Sequence, residues 1–242
     1  MKKILLGLGA GATALAMLPL FAAFEAHVIN VTARIENALQ VTPEEIRFGT
    51  TFPQEALDKT FNVSFSQSFL AQGRADRVEY HIRQKPKCED SQGNHPQVGE
   101  DANGNFVCPE GSHEMPLLCP YLSKHEITGD PQNEPGATGD NDSAGISAFH
   151  GLPGPWNLAT TLATQVAGVL QASIGDTLDT WNIDLRVPCF EGYCAQDWDR
   201  FVRANNQDPD VDPADYMADP RLEHAVYGCD LWLEVTDVSE VD

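Results

Sequence analysis

Apolar and polar residues alternate in six separate runs along this chain. Ile29, Val31, Ala33 and Ile35 share one side of an extended segment, with Asn30, Thr32, Arg34 and Glu36 opposite. The period of two recurs at Phe61, Val63 and Phe65, and again at Val78, Tyr80 and Ile82. It returns in "VAGVLQA" (166–172), at Trp181, Ile183, Leu185 and Val187, and at Tyr227, Cys229, Leu231, Leu233 and Val235. Successive strand side chains point to opposite faces, so each run predicts a strand buried on one face and wet on the other. One-sided burial is the habit of antiparallel sheets, and no strand–helix alternation argues for a parallel one. The expected fold is all-β: one antiparallel β-sandwich of jelly-roll type.

Two polar insertions interrupt the strands. Residues 85–150 hold eleven acidic residues against three lysines, saturated with turn-forming stretches such as "DANGN". This reads as a long surface excursion with little core of its own, in which "MPLLCPYL" packs down as a helical turn. The second insertion, about 189–220, contains "AQDWDRFVRA". There Trp198, Phe201 and Val202 fall at helical spacing, predicting one short helix, followed by loop.

The beginning of the chain has a different character. Lys2 and Lys3 precede an uncharged apolar stretch from Ile4 to Phe24, the pattern of an export signal over 1–23 followed by a single domain over 24–242. The stretch is also long enough to span a bilayer, so an uncleaved anchor is the alternative. In an exported chain six cysteines (Cys88, Cys108, Cys119, Cys189, Cys194 and Cys229) read as disulfides. The competing zinc reading lacks a C-x-x-C pair and a histidine at suitable spacing. Six cysteines permit about 15 pairings. Cys88 with Cys108 is the expected one, since both lie in the same insertion.

The net charge of −21 over 242 residues repels nucleic acid and favours cations or basic partners. Asp208, Asp210, Asp212 and Asp215 form the sharpest acidic cluster, and alternate carboxylates in a loop suit Ca²⁺. Interleaved prolines and a missing glycine break the EF-hand spacing, so an acidic solubilising loop is the simpler reading. "DANGN" likewise resembles part of a calcium loop but is more simply a tight turn at Asn103-Gly104. No H-E-x-x-H, G-x-S-x-G or P-loop occurs, and "GLGAG" lies inside the signal. No cofactor beyond Ca²⁺ is suggested. Asn30, Asn62 and Asn141 begin N-x-[ST] sequons, which matter only in a glycosylating source.

"AAF" before an alternating strand, then "ENALQVTPEEIRFGTTFPQEALDKTFNVSFSQSF" and "ADRVEYHI", resemble the TasA/camelysin family of exported proteins. The similarity covers roughly residues 15–83, and the closing strands "DTWNIDLRVPCF" and "GCDLWLEVTDV" look like a variant of the same ending. The middle insertion and its cysteines depart from the pattern. The resemblance implies a jelly-roll subunit cut near Ala22/Ala23 and assembled into extracellular filaments by self-association. The donor strand it implies is Phe24, Glu25, Ala26, His27, Val28 and Ile29, which would complete the sheet of the next subunit. Some family members are metallopeptidases. That activity is not carried over, because no zinc-helix motif is present. The rival expectations are a camelysin-type metal-dependent peptidase and a membrane-anchored, calcium-dependent surface-binding module.

Overall fold

The computed structural model describes residues 37–73, 75–127, 145–206 and 208–240. The expected export signal, the expected Ile29–Ile35 strand, the candidate donor segment Phe24–Ile29 and the sequons at Asn30 and Asn141 lie outside the described residues. All described residues belong to one unit, Glu36–Asp242.

Two antiparallel sheets carry the fold. The first has the order β1-β2-β10-β8, from Leu39–Thr42, Ala56–Phe65, Leu178–Arg186 and His125–Glu126. The second has the order β11-β3-β9, from Asp230–Glu240, Ala75–Lys85 and Val166–Gln171. Two small two-stranded sheets, β4 (Cys88–Asp90) with β7 (Ser112–Glu114) and, between them in the chain, β5 (Gly99–Glu100) with β6 (Phe106–Val107), sit in the first insertion. The alternating positions face inward as the period requires. Phe61, Val63, Phe65, Trp181, Ile183 and Leu185 of the first sheet meet Val78, Tyr80, Ile82, Val166 and Leu170 of the second in one buried cluster. The fold is therefore an all-β sandwich held by disulfides.

Burial of this aromatic and branched set is the main stabilising contribution, at about 1.5–3 kcal/mol for each fully buried large side chain. A polar pin crosses it: Trp181 Nε1 donates to the Tyr80 hydroxyl at 2.8 Å, and that hydroxyl donates to the Asp179 carboxylate. The buried polar tips thus satisfy one another, as a tightly packed interior requires.

The structure corrects the reading of the first insertion as a surface excursion. Met115, Leu117, Cys119, Tyr121, Leu122, Ala148 and Phe149 are all buried, and β8 is an edge strand of the main sheet. The MPLLCPYL segment packs down with a helical turn over Cys119–Tyr121, as expected, whereas Ala148 and Phe149, single apolar residues between turns, carry no periodic signal and only tertiary packing reveals them. Phe106, Leu117, Cys119 and Trp156 form a second, smaller core. The residues after Cys194 are also more than loop. Helix α3 (Trp198–Ala204) forms as its spacing predicts, and Val211 and Tyr216 are buried beyond it. Two further short helices, α1 (Gln67–Gln72) and α2 (Leu158–Ala163), escaped the apolar periodicity. Each is started by a side-chain cap, Ser66 accepting from Phe69 N and Asn157 accepting from Thr160 N.

Candidate functional site

Cysteine placement organises the loops. Cys88 joins Cys108, Cys119 joins Cys229, and Cys189 joins Cys194. The first closes the hairpin region of the long insertion. The second ties that insertion to the residue preceding β11, across 110 positions of sequence. The third clamps the turn that leads from β10 towards α3. Three disulfides point to an oxidising environment. No helix among the described residues is long and apolar enough to cross a membrane.

The four aspartates of the acidic cluster line one cleft of about 470 Å³, together with Gly145, Ile146, Phe149, His150 and Tyr216. They are brought to one place, and the carboxylates of two of them, Asp208 and Asp212, serve the backbone. Asp208 Oδ1 accepts from Asp210 N at 2.9 Å, and Asp212 Oδ1 accepts from Ala214 N at 3.0 Å as the cap of a 3₁₀ turn. No three His, Cys, Asp or Glu side chains among the described residues converge to hold a metal ion. "DANGN" is used in the same way. Asp101 Oδ1 accepts from the backbone of Asn103 and Asn105, and Oδ2 accepts from Asn105 Nδ2. Asp90 makes the same three bonds to Gln92 and Asn94. The shared D-x-x-G-N spacing is a turn signature, and these amides hold both carboxylates below the usual aspartate range, the Asn105 and Asn94 side chains contributing most.

The wall of the cleft is unusual. Phe149 is fully buried at φ +63°, a region that residues with a Cβ seldom adopt. Its ring meets Tyr121, Trp198, Phe201 and Tyr216 in edge contacts at 5.5–6.2 Å, which hold the backbone there. The next residue, His150, is 8% exposed, with Nδ1 2.7 Å from Ser147 O and Nε2 2.7 Å from Gln84 Oε1. Burial disfavours the charged ring and the nearby Lys124 adds to this, so its pKa falls to about 3. Lys124 itself is fully buried, and among the described residues its Nζ has no hydrogen-bond partner. Burial pushes its pKa well below that of an ordinary lysine.

One constellation had no sequence signal. On the face of the first sheet away from the core, Asp58 of β2 stands directly opposite Asp184 of β10. Arg186 spans both, with Nη1 3.0 Å from Asp58 Oδ1 and Nη2 3.5 Å from Asp184 Oδ2, while its Nε donates to Asn205 at 2.7 Å. His125 Nε2 lies 3.5 Å from Asp184 Oδ2 and 3.3 Å from Asn182 Nδ2. Each residue is an ordinary polar position of an alternating strand. Only the pairing register makes them neighbours, and that is why sequence reasoning missed them.

Comparison with known proteins adds no relative: the chain matches no family model, no curated protein and no solved structure.

Proposed function

We propose that this chain is an exported, non-enzymatic structural subunit that assembles into extracellular filaments by lending its N-terminal segment to a neighbouring copy. The observation that carries the reading is an incomplete sheet edge. Strand β1 pairs only with Asn62–Phe65, so Ala56–Phe61 has no strand on that side among the described residues. Pro43 follows β1 at once and has no backbone N–H to continue the ladder. A row of unpaired N–H and C=O groups is a template for an added strand, and pockets for alternate side chains give such pairing its specificity.

The candidate donor Phe24–Ile29 has the same six-residue length as the open stretch. Insertion of one copy's terminus into the next is a head-to-tail contact, which grows into a filament where its rotation does not close a ring. The three disulfides and the Lys2-Lys3 apolar leader support export. Negative-stain microscopy of the mature protein, with and without Ala23–Ile29, tests the proposal. Filaments are expected only from the complete form. Equal assembly by both forms would overturn it.

A further inference from the structure

We propose that Asp58 and Asp184 share a single proton, making a clasp between β2 and β10 that is closed only while the pair holds that one proton. The geometry begins with register: the two residues are direct cross-strand partners, so their side chains rise side by side from the same face. Asp184 is the enclosed member, its side chain 7% exposed against 64% for Asp58. Its two oxygens differ. Oδ2 faces the guanidinium of Arg186 and the ring of His125, whereas Oδ1 is buried and accepts no hydrogen bond from the described residues.

A buried carboxylate oxygen without a donor is costly, and a second carboxylate beside it makes the ionised form worse. A proton on Oδ1 removes both difficulties, because the resulting hydroxyl donates to Asp58, whose charge is already held by Arg186. The charged and titratable groups facing Asp184 are Asp58 from β2, Arg186 from β10 and His125 from β8. Asn182 of β10 and Ser123, whose hydroxyl accepts from Asp184 N at 3.2 Å, complete the surroundings. The titration tendencies agree with this geometry. Burial and then the Asp58 contact raise Asp184, while the Arg186 contact and then the Asp184 contact lower Asp58.

The sign follows for each partner. Asp184, raised on folding, adds stability that is complete below the unfolded aspartate value of 3.8 and is lost as pH rises through its folded midpoint. Asp58, lowered on folding, adds stability that is present above 3.8 and is lost as pH falls through its folded midpoint. The clasp is therefore closed between the two midpoints and loosens on either side. Because Arg186 also grips Asn205 beyond α3, the clasp ties the helix to the sheet.

Carbon-13 NMR titration of the side-chain carboxyls in the full-length protein decides the matter. Asp184 is expected to titrate above the ordinary aspartate range and Asp58 below it. Asp58→Asn should weaken proton binding at Asp184 by about tenfold or more, since the like charge vanishes and a neutral amide oxygen, a weaker acceptor, takes the carboxylate's place. An Asp184 that titrates at or below the ordinary range in the wild type overturns the proposal without any variant. So does a midpoint that Asp58→Asn leaves in place.

Discussion

Gly168 of β9 lies directly opposite Tyr80 of β3, and the tyrosine ring occupies the space where a side chain at Gly168 would stand. A Cβ there would overlap the ring and its hydroxyl, leaving Cε1 only 2.8 Å away. The absent side chain lets the ring lie across the neighbouring strand and aim its hydroxyl at Trp181 and Asp179.

Gly168→Ala should therefore destabilise the fold by overpacking, at about 1–3 kcal/mol in chemical denaturation. The cost should shrink in a Tyr80→Leu background, because the two positions are coupled. Equal cost in both backgrounds would show that the ring contact is not the cause.

Among the described residues Lys124 is a buried amine without a partner, and its replacement should stabilise the protein. Lys124→Met is expected to gain about 1–3 kcal/mol at neutral pH, the usual cost of an unsatisfied buried polar group. Its folded pKa lies well below the unfolded 10.5. Between those values the unfolded chain binds the extra proton, so wild-type stability rises with pH, and the slope should disappear in the methionine variant. His150 acts in the same direction lower down. Its stabilising effect falls away as pH drops from the unfolded 6.5 towards about 3. Denaturation midpoints collected across pH, for the wild type and for Lys124→Met, check both statements.

The disulfides should rank by the loop each one closes. Sequence separations of 110, 20 and 5 for Cys119–Cys229, Cys88–Cys108 and Cys189–Cys194 set the order. Chain entropy gives about 5, 3 and 2 kcal/mol respectively for removing each bridge. Paired Cys→Ala variants, compared by urea denaturation, provide the measurement. A Cys189–Cys194 variant less stable than the Cys119–Cys229 one would mean that local packing at the turn outweighs loop closure.

The sequence by itself determined the strands that carry the core, because burying one face of a pleated strand imposes a period of two that residues such as Phe61, Val63, Trp181 and Ile183 display openly. It also marked α3 through the spacing of Trp198 and Val202, and the tight turn at Asn103-Gly104. Only the tertiary structure decided which strands are neighbours. Asp58 meets Asp184, and Gly168 makes room for Tyr80, through pairing registers that no local pattern encodes. It decided too that Phe149, Lys124 and Val211, isolated among turn residues, are interior positions. Such residues are buried by contacts between distant segments, so their burial leaves no periodic trace in the chain.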